Sequence, residues 1–379
     1  MAIAGVAGLG VSPGIAPVVG MKTLSAETRL LDAEPGTTAL LLGGTGVPVL
    51  PPDVVAAIVA SYIDPEEPQF PGQPVFPVTD AQAVYAPQQL YPLTGIPSMG
   101  FDESVQQGVS LMTTAIMNQF AAGNNVVASG ESQGADILAG VMQNFLSLPS
   151  DEQPTADQLG FVNLIAEDGP STGLLARFAI PGVEPLSFPS LGITLDYVEP
   201  SVTPWTTADY VSEYDGFSDF PQYPLNLLAD LNAIEGVTYY HSGGNQDAAT
   251  AIRLPVSDDY AGHTQYFIFP NEDLPLLLPL RQDGPFGNAT ADLLQPILKP
   301  LVNLGFGDPD YGYSTGPANE LTTIGVFPEP DMVLKAFQEA VAGIPTGIHN
   351  FMDDLGSLPS NTAGDSLPSL ADILNSGLA

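Results

Sequence analysis

Apolar residues recur along this chain with two different periods. Val105, Val109, Met112, Ile116 and Phe120 stand three or four apart, which predicts a helix over 101–122 with one apolar face, ended by Gly123. The same period predicts helices over 135–146 and 225–234, and Asp53 in a first turn marks another over 52–62. Between them lie short unbroken apolar runs at 38–42, 125–129, 161–166, 210–214 and 237–240, which read as buried strands, and TQYFIF at 264–269 is strand-like. Strands alternating with helices predict an α/β architecture, a mostly parallel sheet with helices on both faces. Residues 64–98 are rich in Pro and Gln and read as irregular. Residues 170–205 are Pro-rich and apolar, a candidate cap. The expected organisation is an apolar arm or export remnant over 1–35, the main domain over 36–350, and a flexible tail over 351–379.

Where the 125–129 strand meets the 135–146 helix, the chain reads Gly130-Glu131-Ser132-Gln133-Gly134, the G-x-S-x-G nucleophile elbow. Alone the pentapeptide is weak. An apolar strand directly before it and an amphipathic helix directly after supply the required context, so an α/β-hydrolase fold with Ser132 as nucleophile is expected. A serine needs a base, and the base an orienting acid, in the chain order Ser, Asp or Glu, His. The chain has three histidines, all after Ser132. His241 closes the run GVTYYH and is assigned the base at a strand end, with His263 and His349 as alternatives. The segment EYDGFSDFP offers two acids: Asp219, before Pro221, is assigned the role, and Asp215, before Gly216, is the alternative. The backbone N–H of Gln133 and the Gly44–Thr45 turn are the expected oxyanion hole; the glycine loop 43–46 lacks the lysine of a phosphate-binding P-loop.

Charge and composition narrow the partners. There are 43 acidic residues against 7 basic ones, a formal net charge of −36. Such a surface repels phosphate backbones, which excludes a nucleic-acid reader, and repels anionic head groups, so any lipid contact must be apolar. The chain has no cysteine, so disulfides and thiolate chemistry are excluded. No cluster of ligand residues stands out, and neither metal nor cofactor is expected. Gly and Pro break the apolar first 20 residues, which lack a basic leader, and no stable membrane span is expected. Val47, Pro48, Leu174, Leu175, Phe178, Pro181 and residues 185–188 are expected to border the site, with Arg177 the only basic residue of the 170–205 stretch. That lining suits uncharged acyl chains of short to medium length, carried by an acyl ester or lipid substrate. The sequence leaves the oligomeric state open.

Several segments carry a family resemblance: LLGGTGVP, PLTGIPSMGFDESVQQG, AAGNNVVASGESQGADI, LLARF, EYDGFSDFPQYPLNLLADLNAIEGVTYYH, EDLPLLLPLR and NATADLLQPILKPLVNLGFGDPDYGYST. Together they resemble the PE-PPE domain of mycobacteria and related actinobacteria, a serine α/β-hydrolase family organised like cutinases. The resemblance implies esterase activity on acyl esters, or acyl transfer onto envelope glycolipids, in a secreted or envelope-associated protein. It maps Ser132 to the nucleophile, the Asp215/Asp219 pair to the acidic segment and His241 to the base. Three departures stand out. The family's small helical leader is not expected in the residues of this sequence. Glu131 replaces the usual aromatic beside the nucleophile, and NLIAEDGPSTG stands where an Asn/Pro-rich turn is usual. A non-catalytic surface protein on a hydrolase fold is the contrasting expectation.

Overall fold

In the computed structural model, residues 36–241 and 246–357 are described. The expected arm over 1–35 and the tail beyond residue 357 lie outside them. The sheet has seven strands: β1 (Thr37–Leu42), β2 (Asp80–Ala83), β3 (Asn125–Glu131), β4 (Leu159–Leu164), β7 (Thr207–Ser212), β8 (Ile252–Arg253) and β9 (Thr264–Phe269). Their order is β2-β1-β3-β4-β7-β9-β8, parallel except for the β8–β9 edge pair. β5 (Leu186–Phe188) and β6 (Ile193–Leu195) form a separate antiparallel hairpin.

Alternation along β1 explains the layers. Leu40 and Leu42 point into a core with α2 (Phe101–Ala121) and α3 (Gln133–Leu146), while Ala39 and Leu41 pack on the other face with Val55 and Ile58 of α1 (Pro52–Ile58). Burial on both faces is what continuous apolar strands predict, and the α/β expectation holds.

Two expectations fail. The 64–98 stretch contains β2, a short polar strand at the sheet edge. The run 237–240 is the last turn of α5 (Leu227–Tyr240), not a strand. Its Val, Thr and Tyr residues carry strand propensity, but the Asn226 side chain caps the helix by accepting from Ala229 N at 3.3 Å, and Ala229 and Ala233 bury one face against Phe306 and Val302. After α4 (Leu174–Arg177) and α6 (Leu278–Gln282), two long helices complete the described chain, α7 (Gly284–Asn303) and α8 (Pro330–Ser357). α8 lays its small residues on α7 and leaves Leu334, Phe337, Val341, Ile348 and Met352 exposed. No described helix is long and apolar enough to cross a membrane.

Candidate active site

The elbow forms as its sequence dictates. β3 ends at Glu131, α3 starts at Gln133, and Ser132 between them holds φ 53° and ψ −128°. That is a left-handed backbone for a non-glycine residue, fixed by bonds on both sides. Its N–H donates to Leu164 O at 2.9 Å, and its carbonyl accepts from Ala135 N at 2.6 Å. The turn closes so tightly that a side chain at Gly130 would run into the Gly134 carbonyl. Gly44 lies against the serine: a Cβ there would come within 3.1 Å of Ser132 Cβ and 3.5 Å of its Oγ.

Ser132 Oγ lies 2.9 Å from His241 Nε2, and His241 Nδ1 lies 2.7 Å from Asp215 Oδ2. His241 is the C-cap of α5, and Phe217 packs edge-on against its ring with centroids 4.8 Å apart. Asp215 sits in the loop after β7. Its carboxylate also accepts from Ser218 Oγ at 2.7 Å, Phe217 N at 3.2 Å and Ser218 N at 3.4 Å.

The carboxyl that meets the histidine is that of Asp215, the alternative acid, and not that of Asp219. Asp219 folds back on its own loop, its Oδ2 accepting from Tyr214 N at 3.0 Å while its N–H donates to Asp215 O at 2.7 Å. Burial pushes its carboxyl well above the usual range, opposed by the Tyr214 N–H and the positive charge of Arg177. The other histidines lie elsewhere. His263 Nδ1 faces Thr203 O at 3.1 Å, and the exposed His349 meets Asp353 at 3.3 Å along α8.

At the expected oxyanion side, Gln133 is fixed by its side chain. Its Oε1 accepts from Ser104 Oγ at 2.8 Å, and its Nε2 donates to Thr45 Oγ1 at 3.1 Å and Gln89 O at 3.0 Å. The Gln133 backbone N–H is in the first turn of α3, where intrahelical acceptors are missing. Gly44 and Thr45 line the same cavity as Ser132.

A residue that sequence reasoning missed completes the centre. Ser132 Oγ donates to Glu167 Oε1 at 2.8 Å, and that oxygen lies 3.9 Å from His241 Nε2. Glu167 follows β4, the strand beside β3, within the segment that departs from the family pattern. Its signal was positional, since ligand-facing residues collect at the carboxyl ends of parallel strands. Behind it lie further buried carboxyl groups: Asp136 of α3, whose carboxyl interacts electrostatically with that of Glu167, then Asp168, Asp209 and Glu199. Burial is the leading cause that raises all four, with Asp209 pushed up to about 7. The side-chain oxygens of Asp136 and Asp168 are buried without a hydrogen-bond partner among the described residues, an arrangement that disfavours the charged form of each.

His241 feels both sides. Burial disfavours its charge, but the charge and hydrogen bond of Asp215, then the charges of Glu167 and Glu131, outweigh it and push the imidazole up to about 9.

The site opens into a cavity of about 570 Å³. Thr45, Glu131, Ser132, Glu167 and His241 form its polar end. The rest is apolar, and Leu174, Leu175, Phe188, Leu191, Ile193 and Leu195 come from the 170–205 stretch. Val47 also lines it, as the sequence suggests; Pro48, Phe178, Pro181, Pro185, Leu186 and Ser187 are not among the lining residues.

The PE-PPE domain matches residues 77–307 of this chain. PPE28, an uncharacterized PPE family protein of Mycobacterium tuberculosis, is 39% identical over 364 residues, 94% of this chain and 52% of the relative. Esterase PE16 of the same organism is 40% identical over 325 residues, 84% of this chain and 57% of that protein. A diacyltrehalose acyltransferase of the organism is 29% identical over 58% of this chain and 62% of its own length. The chain thus spans about half the length of PPE28 and PE16.

Proposed function

Because the chain belongs to the PE-PPE domain family, we propose that it is a serine hydrolase of acyl esters in which Ser132 is the nucleophile, His241 the general base and Asp215 the orienting acid. The observation that carries this reading is the unbroken hydrogen-bonded line Ser132 Oγ, His241 Nε2, His241 Nδ1, Asp215 Oδ2, opening on an apolar cavity.

Ser132 Oγ attacks the ester carbonyl carbon as its proton passes to His241 Nε2, and the carbonyl electron pair moves onto oxygen. The Gln133 N–H and the Gly44–Thr45 turn meet that oxyanion. Collapse breaks the bond to the leaving alkoxide, which takes the Nε2 proton and departs as the alcohol. Water then attacks the acyl-enzyme, gives one proton to His241, and the proton returns to Ser132 Oγ as the carboxylic acid leaves. Asp215 holds Nδ1–H throughout and stabilises the imidazolium between steps.

The apolar walls support uncharged acyl chains of short to medium length, and the 170–205 stretch acts as the cap that sizes them. A sugar hydroxyl in place of water would make the same centre an acyltransferase, a second reading supported by the relative named for that activity. Action on esters of the cell envelope, and export to reach them, belong to the same proposal. A series of p-nitrophenyl esters of rising chain length tests it, with a fluorophosphonate probe alongside. Turnover and labelling in the wild type, both lost in Ser132→Ala, are expected; turnover that survives Ser132→Ala overturns the assignment.

A further inference from the structure

The Ser132 hydroxyl has one proton and two acceptors in reach, Nε2 of His241 at 2.9 Å and Oε1 of Glu167 at 2.8 Å. When it donates to Glu167, Nε2 can bond to Oγ only as a donor itself, which requires the imidazolium. When it donates to Nε2, the Glu167 oxygen loses that donor. Glu167 therefore competes with the base for the serine's proton in the resting enzyme. A carboxyl group that only hindered the first step would be an odd neighbour for a nucleophile.

Acylation changes the count. The ester oxygen of an acylated Ser132 has no proton, so Glu167 Oε1 loses its donor and becomes an empty acceptor beside the reaction centre. Nε2 and Oε1 are 3.9 Å apart, close enough for one oxygen to bond to both, as Ser132 Oγ does in the resting state. A water molecule has the two protons this pair of acceptors requires. Asp136 of α3 and Asp168, the next residue in the chain, are the buried carboxyls beside Glu167, and burial pushes both well above the usual carboxylate range.

We propose that Glu167 is a catalytic residue of the second half-reaction, where it receives one hydrogen bond from the incoming acyl acceptor while His241 takes the acceptor's other proton. Only the proton on Nε2 is transferred, and it returns to Ser132 Oγ; the proton facing Glu167 stays on the product. The acceptor class follows. Water, or a vicinal diol such as a sugar edge, can serve both sites, whereas a simple monohydric alcohol leaves Glu167 unmet. The inference rests on the proposed acyl-enzyme chemistry.

Two half-reactions can be read separately. Fluorophosphonate labelling of Ser132 reports acylation alone, and steady-state release of p-nitrophenol from a p-nitrophenyl butyrate substrate reports both steps. In Glu167→Gln and Glu167→Ala, labelling is expected to keep its rate or quicken, while turnover falls about tenfold, as loss of a hydrogen bond implies, and a burst equal to the enzyme concentration appears. Labelling and turnover that fall together, or that both stay unchanged, overturn the proposal. The wild type tests the same point without substitution. Ethylene glycol is expected to intercept the acyl group more readily per hydroxyl than ethanol, and equal interception overturns the idea. A wild type that neither labels nor turns over ester overturns the proposed function itself, a result distinct from either of these.

Discussion

Two carboxyl environments flank the Ser132–His241 pair, and they are built on opposite principles. Asp215 is served by donors on every side: the imidazole N–H, the Ser218 hydroxyl and two backbone N–H groups. Across the site, Glu167 leads into Asp136, Asp168, Asp209 and Glu199, all buried, where neighbouring carboxyls outnumber donors. The first arrangement fixes one acceptor in one geometry. The second pushes Asp136, Asp168, Asp209 and Glu199 above the usual carboxylate range, because burial disfavours their charge and several adjacent buried anions would repel one another in a medium that screens poorly. The difference teaches that a carboxyl group's role follows from the donors around it, not from its distance to the serine.

The largest test of this contrast compares the two aspartates of one loop. Asp215→Asn is expected to lower kcat by about 10⁴-fold, because the amide favours the wrong imidazole tautomer. Asp219→Asn should leave the rate near wild type. Asp219→Ala strands the Tyr214 N–H and should cost about 1–3 kcal/mol in chemical denaturation. A rate collapse in Asp219→Asn would break the comparison.

Next comes pH. The proposed mechanism needs neutral His241, whose pKa is pushed up to about 9, so kcat/KM should climb with pH until that value is passed. Below it, each unit of pH should change the rate about tenfold. Glu131→Gln removes one of the charges responsible and should move the limb toward lower pH; a limb that stays put would remove Glu131 from the account.

The stability effect has a definite sign. His241 is raised from 6.5 to about 9, so its contribution is present below 6.5 and lost as pH rises through about 9. Asp209 is raised from 3.8 to about 7, so the folded state binds its proton more tightly and stability falls as pH climbs between those values. Both slopes point the same way, and the melting temperature should fall between pH 5 and pH 8. Asp209→Asn should flatten that fall. A melting temperature that rises over this range would mean the carboxyl row is not holding protons.

The smallest effect concerns the apolar end of the cavity. Each added CH₂ that finds cover is worth about 0.8 kcal/mol, about fourfold in kcat/KM. Leu195→Trp should move the best chain length down by filling space, measured on the same ester series. An unchanged optimum would place the acyl chain elsewhere.

Much of this was legible because it is local. The elbow and its flanking strand and helix are contiguous, so one stretch of sequence specified the backbone of Ser132. Choosing between Asp215 and Asp219 was a different problem, since both lie in one turn and only the path of that turn decides which carboxyl faces His241. The α5 helix was half hidden because its last turn is built of Val, Thr and Tyr, whose strand preference yields to packing. Glu167 could not be found from spacing at all: it meets Ser132 only because β4 pairs with β3 in register, Glu131 opposite Leu164. The helices α7 and α8 carry prolines at 296, 300 and 345 that mask their period.

That His241 caps a helix instead of a strand has an electrostatic consequence. In the proposed mechanism the proton travels from Ser132, at the amino end of α3, to His241, at the carboxyl end of α5, each helix being 14 residues long. The aligned peptide dipoles make the first end a positive pole and the second a negative pole. Charge separation therefore runs with both fields: the oxyanion grows at one helix's positive pole and the imidazolium at the other's negative pole. At partly buried ends each is worth about 0.3–2 kcal/mol. Backbone dipoles are present before any substrate arrives, so this part of the transition state's environment requires no rearrangement when the bond begins to break.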